Sequence, residues 1–407
     1  MKFPHPVIWA ICISTALPAA AEPAEILTYE SMPSRIRHGN PTLAAANHRI
    51  GEALGRMKQS GRLPNPSFDT GISHNLQSAE GSIEIGLTQK FPLTNRLALE
   101  KEISIAEVEA AEAEVRDVER LLIAEARAEF VKVLSVRERR ELLGKQKAFA
   151  EELASFISNA SSRGEISSLD AASARLAALR LTTDERRLDA EETAALGKLR
   201  PLVGIAPATP IRLSGNIPQV VIPDISSVDR PDLTAARINA EAAGTAIALE
   251  QARRKDDIEA SVFAAGERNE DAPDGLENEG IIGFRLSIPL PFWNNNQGAI
   301  DEAEARAKRK QEEVNALATN IRHESQTALT EMQQWAALIS EIEDTLIPLA
   351  TEQTDLLENA YRQGQGDLQT ILTSREQTLA LRASKLDAIL EFQLARIRYE
   401  ASCGGGL

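Results

Sequence analysis

The chain is poor in cysteine, which excludes a disulfide framework. Only two of its 407 residues are cysteine: Cys12 in an apolar stretch near the N-terminus, and Cys403 in a Ser-Cys-Gly-Gly-Gly run near the C-terminus. An exported protein that loses Cys12 with a leader keeps a single thiol, so it can form no intrachain disulfide. We expect Cys403 to lie in a flexible tail, and we expect stability to come from packing and assembly.

Aromatic residues and long apolar runs are also scarce, and acidic residues outnumber basic ones. Aromatics make up 4% of the chain, which is low for an ordinary globular core. Beyond the first residues, no apolar run reaches the roughly 20 residues of a membrane-spanning helix, so a protein of this sequence could cross a bilayer only with β-strands. The net charge of -15 argues against nucleic acid as a partner, because phosphate binding needs clustered Lys and Arg.

Recognisable catalytic and metal-binding motifs are missing as well. The sequence has no Walker-type loop, no G-x-G-x-x-G and no nucleophile–base pair in a known context. The five histidines, His5, His38, His48, His74 and His323, are not at zinc-ligand spacing from one another or from cysteine. We therefore expect no enzyme activity, no cofactor and no bound metal.

The N-terminus has the pattern of a secretory signal. Lys2 and His5 precede an apolar core at 7–17 that is too short to span a bilayer. Small residues follow, and we expect cleavage after Ala21, which makes 1–21 a signal peptide. A buried apolar N-terminus is the alternative.

The rest of the sequence repeats itself at an offset of about 200 residues. The matching positions are Pro41 and Pro231, Pro92 and Pro291, Gly164 and Gly364, and Arg175 and Arg375. Because the matches keep their order, they predict two repeats, about 40–200 and 230–400, joined by a connector at 201–229. Each repeat begins with a proline in the first turn of a helix, where its missing N–H costs no hydrogen bond.

Four segments alternate between apolar and polar residues, which is typical of β-strands with two different faces. They lie at 68–73, 82–88, 258–265 and 282–290. In the last segment the apolar positions are Ile282, Phe284, Leu286 and Ile288. Strands of 9–11 residues cross a bilayer when tilted, so we interpret these four side chains as lipid-facing. A soluble sandwich with one wet face has the same period and is the alternative.

Four strands cannot close a barrel, and an open sheet edge in lipid would leave backbone groups without partners. Several chains must therefore share one barrel. Two copies would give 8 strands and an interior filled by side chains, whereas three would give 12 strands and a lumen. The pattern does not decide between these numbers.

Long segments without proline predict helices too long for a globular core. A helix at 97–161 would be roughly 100 Å long. At 314–346, apolar residues recur every three or four positions, as in a coiled-coil seam, which we expect Pro348 to kink. Shorter helices at 41–60 and 169–199 could stack end to end beside the first long helix.

The pattern of helices and strands, together with one loop, resembles the TolC family of outer-membrane factors. The most specific stretch is 286–300, LSIPLPFWNNNQGAI, which is similar to the CzcC-like branch that serves heavy-metal efflux. Asn65-Pro66 and the run 230–233 fit that branch too. The resemblance covers nearly all of residues 22–407, as a single channel domain made of the two repeats.

The resemblance implies a mixed fold of α-helices and transmembrane β-strands. Each chain of a homotrimer contributes four strands to a shared β-barrel in the outer membrane, and the barrel continues as a long periplasmic α-helical barrel. The implied function is passive conduction of solutes, here heavy-metal cations, from an inner-membrane RND-type pump and a periplasmic adaptor protein to the outside. A channel for drugs or other organic solutes, and a periplasmic adaptor or scaffold built on helical hairpins, are the alternatives.

In the family, the turns at the periplasmic end of the helices contact the adaptor and close the tunnel at rest. The matching residues here are Arg163, Gly164 and Asp170 in the first turn, and Tyr361, Gly364 and Asp367 in the second. Asp170 and Tyr361 fall where relatives place a hydrogen-bonded pair; alternatively, Tyr361 only packs and Asp170 caps a helix. The match is partial, because Gly366, Thr370 and Thr373 replace charged residues of relatives.

The segment 266–280 holds six carboxylates and one Arg. We interpret it as a solvated hairpin loop. An acidic rim that attracts cations at the outer mouth is the alternative.

Overall fold

The structure is a computed structural model and describes residues 25–165, 167–207, 209–225, 229–271, 275–363, 365 and 367–404. The expected signal peptide, 1–21, and Gly364 lie outside these residues. The elements in chain order are β1 (Glu25–Leu27), α1 (Met32–Gly39), α2 (Pro41–Gln59), β2 (Ser67–His74), β3 (Gly81–Phe91), α3 (Arg96–Ser162), α4 (Ser168–Leu202), β4 (Ile211–Leu213), α5 (Pro231–Ala252), β5 (Ile258–Asp271), β6 (Gly275–Ser287), α6 (Gln297–Glu341), a π-helical segment (Ile342–Leu346), α7 (Ile347–Arg362) and α8 (Leu368–Ser402).

The helices begin and run as the positions of proline predict. Pro41 and Pro231 lie in the first turns of α2 and α5. Asn40 caps α2, since its side chain accepts a hydrogen bond from the Leu43 N–H at 2.9 Å. With no proline in its interior, α3 continues unbroken for 67 residues.

The second long helix changes its winding just before Pro348. A five-residue π-helical segment separates α6 from α7, and Pro348 falls in the first turn of α7. The irregularity expected at this proline is therefore a wider turn, which accommodates a residue that has no N–H to donate. The predicted seam is buried in two parts: Val314 and Ile321 pack with Leu233 of α5, and Met332 packs with residues of α8.

The helices form a wall in which two shorter helices lie end to end beside each long one. α3 contacts α2 and α4, and α6 contacts α5 and α8. At the first junction, Asn40 Nδ2 donates to the Leu202 carbonyl at 2.7 Å. At the second, the Asp229 N–H donates to the Cys403 carbonyl at 3.1 Å. The predicted stacking of α2 on α4 is confirmed, and the same arrangement joins α5 to α8.

The largest fully buried side chains, Phe130 and Phe392, belong to clusters that include residues of these two junctions. Tyr29 contacts Phe130 edge-on, with ring centroids 6.3 Å apart. The connector, 201–229, packs against the helices at this level, where Gln393 of α8 donates to the Pro218 carbonyl at 2.7 Å. Two elements in this region were not predicted, namely α1 and the small parallel pairing of β1 with β4.

The flexible C-terminal tail expected around Cys403 was wrong. Cys403 is 3% exposed, forms the C-cap of α8 and packs in the cluster that contains Phe392 and Tyr399. The physical reason is the junction with Asp229. The end of α8 lies against the backbone of Asp229, and Gly404 adopts φ 77°, which allows this close approach.

The strands form one antiparallel sheet in the order β2-β3-β5-β6. The two hairpins join through β3 and β5, so β2 and β6 are the edges within one chain. Two expectations need correction. β6 ends at Ser287, so Ile288 lies just past the strand, where Pro289 cannot donate to a ladder. The acidic segment is not a loop over most of its length, because β5 continues to Asp271 and β6 begins at Gly275.

Within the described residues, no helix is both long and apolar enough to cross a bilayer.

Candidate functional site: an inverted sheet and two helical turns

The pairing register places apolar residues of all four strands on one face of the sheet. Residues directly opposite each other in antiparallel strands point to the same side. Leu87 lies opposite Phe68 and Val262, and Val262 lies opposite Phe284. Ile282 shares this face, opposite Ala264. The alternation predicted along single strands is thus continuous across the whole sheet.

Exposure on this sheet is the reverse of that in a water-soluble protein. The apolar side chains are open: Ile282 is 86% exposed, Phe284 65% and Leu286 50%. Along β3 the polar residues between the apolar ones are half-buried, whereas Ile83 and Ile85 are exposed. An apolar band of this size on a sheet needs a non-aqueous environment.

The opposite face is polar, and its side chains bond to each other across strands. Thr88 donates to Asp69 at 2.7 Å and lies 2.8 Å from the Ser261 hydroxyl. Arg285 pairs with Glu84 at 3.7 Å. This hydrogen-bonding capacity suits a wet surface, which supports a lumen on this side.

Phe263 is the exception on the polar face, and its position has a packing reason. Its ring lies over Gly283 on the neighbouring strand, where an added Cβ would be 2.3 Å from a ring carbon. The Arg285 guanidinium lies 4.9 Å from the ring centroid. The ring thus covers backbone that glycine leaves open, and the arginine keeps the surface charged.

The first periplasmic turn predicted from the sequence ends α3 with a left-handed glycine. Gly164 has φ 76°, and the Glu165 N–H donates to the Ala160 carbonyl at 3.0 Å. Arg163 pairs with Glu165 through two contacts of 2.9 and 3.0 Å. Both charged side chains are exposed, so the pair stays available to a partner.

The alternative role for Asp170, as the cap of α4, does not hold. The cap of α4 is Ser167, whose hydroxyl accepts from the Leu169 N–H at 3.1 Å. Asp170 is exposed in the first turn of α4, where its negative charge interacts favourably with the positive end of the helix dipole.

The second turn follows the same backbone plan. The Gln365 N–H donates to the Ala360 carbonyl at 3.0 Å, the counterpart of the bond that closes the first turn. Asp367 is the N-cap residue of α8, and Thr370 donates to its carboxylate at 3.4 Å. Tyr361 is half-buried at the end of α7. Among the described residues of one chain, no hydrogen bond joins Tyr361 to Asp170.

Contacts above the second turn were missed in the sequence, because they join helices that lie far apart in the chain. The guanidinium of Arg375 in α8 lies 3.7 Å from the ring centroid of Phe149 in α3, and it also pairs with Glu358 of α7. Thr354 and Ser374 share a buried hydroxyl contact of 2.8 Å. The match between Arg175 and Arg375 in the two repeats was the only feature of the sequence that pointed to this position.

Partly buried ion pairs lie among the helices farther from the two turns. Burial alone would raise the pKa of Glu192, but hydrogen bonds and charge from Arg137 and Arg140, at 2.7 and 2.6 Å, hold that pKa below its ordinary value. Asp232 is similar: burial opposes its ionisation, but Arg230 at 2.6 Å lowers its pKa. The pairs of Glu192 join α3 to α4. Arg230 and Asp232 both lie at the start of α5, and Arg230 joins this end of α5 to α6 through Glu324 at 2.6 Å.

The part of the chain that the structure describes contains no group of three or more His, Cys, Asp or Glu residues that could hold a metal ion.

Comparison with known proteins gives a consistent match. A family model described as outer membrane efflux protein matches residues 32–204 and 223–405. The cobalt-zinc-cadmium resistance protein CzcC of Cupriavidus metallidurans is 24% identical over 344 residues, which cover 81% of this chain and 79% of that protein.

Solved structures share the fold. CusC, whose crystal structures describe folding and transmembrane channel formation, aligns with a TM-score of 0.75 and 18% identity over 96% of both chains. The outer membrane protein VceC of Vibrio cholerae aligns with a TM-score of 0.74 and 20% identity, over 93% of this chain and 96% of that one.

Proposed function

Because the chain belongs to the outer membrane efflux protein family, we propose that it is the channel subunit of a tripartite efflux system. It conducts solutes passively across the outer membrane, and its helices extend into the periplasm. The predicted family relationship is confirmed by the family match. The channel role is supported by the sheet, which is apolar and exposed on one face and polar on the other.

The sheet also supports assembly as a homotrimer. Its two edge strands, β2 and β6, have no neighbour within the chain, and unpaired backbone groups are costly in lipid. Three chains would contribute twelve strands, enough for a barrel with a lumen. The two segments matched by the family model support a chain of two repeats, 40–200 and 230–400, within one channel domain.

The proposed solutes are heavy-metal cations, delivered by an RND-type pump in the inner membrane through a periplasmic adaptor. The name of the relative CzcC and the loop 286–300 support this choice. The proposed adaptor contacts are the two turns, which contain Arg163, Gly164 and Asp170 in one and Tyr361, Gly364 and Asp367 in the other. A wide tunnel needs no metal site of its own to pass such ions.

The assembly is tested on protein extracted from outer membranes in mild detergent. Chemical cross-linking should trap species of up to three chains, and the purified protein should give discrete conductance steps in planar bilayers. A folded, monodisperse monomer without conductance would refute the channel and favour the adaptor interpretation.

The solute is tested in cells that lack this chain. They should become more sensitive to Zn²⁺, Cd²⁺ or Co²⁺, and the intact chain should restore resistance. Increased sensitivity to organic antimicrobials alone would contradict the choice of metal cations but not the channel itself.

A further inference from the structure

In the part of the chain that the structure describes, four short segments connect the helical wall to the sheet. They lie at 60–66, 92–95, 253–257 and 288–296. The hydrogen bonds of the helices and of the strands both end at these segments. Contacts between side chains must therefore fix the orientation of the sheet on the wall.

Arg96, the first residue of α3, binds the segment that precedes β5. Its Nε and Nη2 donate to the two carboxylate oxygens of Asp257, at 3.0 and 2.5 Å. A two-point contact of this kind fixes the relative orientation of the two groups as well as their distance. The side chains are only 21% and 15% exposed, so water screens this pair less than an ion pair on an open helix surface.

This pair is one end of a continuous chain of polar contacts. The members of this chain, which we call the joint network, are Asp257, Arg96, Glu100, Arg253, Glu250 and Asn296. Glu100 accepts from Arg96 at 3.3 Å and from Arg253 at 3.1 Å. Arg253 also donates to Glu250 at 2.8 Å, and the Glu250 carboxylate accepts from Asn296 Nδ2 at 2.9 Å. The network therefore connects the start of α3, the segment before β5 and the segment before α6.

The last member of the joint network has an unusual backbone conformation. Asn296 has φ 55°, in the left-handed region that residues other than glycine seldom occupy. Its Nδ2 also donates to the backbone carbonyl of Glu250 at 2.9 Å. A residue keeps such a conformation only where its surroundings hold it there, so the contacts with Glu250 fix the entry of the chain into α6.

The joint network lies on the polar side of the sheet. It borders a recess of about 640 Å³ that is also lined by Lys90, Glu259 and Ser287. These three residues lie opposite one another in the pairing register. Ser287 is two positions from Arg285 along β6, so all three share the polar face. The network is thus beside the proposed lumen rather than beside lipid.

We propose that the joint network locks the sheet to the helical wall, and that Arg96 is the positioning residue at its centre. The sheet then moves as one body with α3, α5 and α6, which keeps the lumen of the barrel aligned with that of the tunnel. The network lies within one chain, so its loss should free the three segments without separating the chains of the assembly. This inference rests on the proposed channel function, and it adds the contacts that hold the two parts of the channel in line.

Hydrogen–deuterium exchange of the whole protein in detergent tests the network directly. Arg96→Gln removes the two-point contact with Asp257. Exchange should become faster by roughly tenfold or more at 92–100, 253–258 and 294–300, because charged hydrogen bonds hold these segments closed. Arg96→Lys keeps the charge but loses the forked geometry, so its exchange should be intermediate.

The matched control is Arg187→Gln, which removes an exposed pair with Glu191 at 3.1 Å, within α4. Exchange at the three segments should be the same in this variant as in the unmodified protein. A second comparison uses Asp257→Asn. If Arg96 acts through Asp257, the double variant should exchange no faster than the faster of the two single variants.

Single-channel currents in planar bilayers supply a functional readout. Arg96→Gln should still cross-link into species of up to three chains, but its currents should show additional conductance levels, because a loosened joint allows more than one lumen width. If this variant does not assemble, Arg96→Lys takes its place in the measurement.

Three results would overturn the inference. One is unchanged exchange at the three segments in Arg96→Gln. Another is a lower thermal midpoint without additional conductance levels, which would show a general loss of stability. The third is additive effects of Arg96→Gln and Asp257→Asn. An unmodified protein without conductance would refute the channel function instead, and the exchange data would still decide whether the network locks the joint.

Discussion

Gly204→Ala should open the junction at which α2 stacks on α4. Gly204 has φ 69°, and a Cβ at this position would lie 2.0 Å from the Gly39 carbonyl oxygen and 2.8 Å from the Gly39 Cα. Both nearby atoms are backbone, so the clash cannot be relieved by rotating a side chain. The two helix ends must separate, and the hydrogen bond from Asn40 to Leu202 is the contact most directly at risk.

The expected cost follows from two effects. An alanine in the left-handed conformation costs roughly 1–2 kcal/mol. Asn40 is 4% exposed, so the loss of its 2.7 Å bond to Leu202 leaves a buried polar group without a partner, at a cost of about 1–3 kcal/mol. Gly204→Ala should therefore destabilise the junction by about 2–5 kcal/mol.

Gly197→Ala is the matched control, because Gly197 lies inside α4, the helix that Gly204 follows, with no atom within 4 Å of an added Cβ. It should stabilise the helix by about 0.5–1 kcal/mol. Hydrogen–deuterium exchange in detergent should show faster exchange at 36–43 and 199–205 in Gly204→Ala only, with a lower apparent thermal midpoint. Equal exchange and equal midpoints in the two variants would refute this reasoning.

Four further predictions concern the sheet, the turns and the helical wall. Leu286→Arg should cost about 2–4 kcal/mol near the bilayer midplane, measured by urea unfolding from vesicles. Cysteines at Arg285 and Leu286 should react with water-soluble and lipid-soluble reagents respectively, and identical labelling would count against a membrane strand. Asp170 and Tyr361 are not bonded within one chain, and we predict that they pair where the turns of the closed assembly meet. Asp170→Ala with Tyr361→Phe should then raise open probability in planar bilayers, since a charge-assisted hydrogen bond contributes about 1.5–3 kcal/mol; unchanged conductance would leave only a packing role. Glu192→Gln should make the free energy of unfolding fall less steeply as the pH is lowered into the acid range. The lowered folded pKa of Glu192 gives stability that is present above about pH 4.3 and lost as pH falls through the folded value. An equally steep acid loss in the variant would contradict this.

The periodic elements could be predicted because their signals are local. Alternation at 282–287 requires only that neighbouring side chains point to opposite faces of a strand. The long helix α3 requires only the absence of proline, and its left-handed end at Gly164 requires a residue without a Cβ. These features hold in the structure because each depends on residues a few positions apart.

The features that the sequence concealed depend on residues far apart in the chain. The end of β6 before Ile288 depends on where its pairing with β5 stops. The stacking of Arg375 on Phe149 depends on which helices become neighbours. Neither has a signature in local spacing.

The sequence by itself determined which residues form strands and helices and which strand face is apolar, because backbone geometry and side-chain periodicity act over a few residues. Only the tertiary structure decided that Cys403 is buried and that Gly204 must approach Gly39. These outcomes depend on how closely distant backbones pass one another, and close approach is set by packing across the whole wall rather than by local preference.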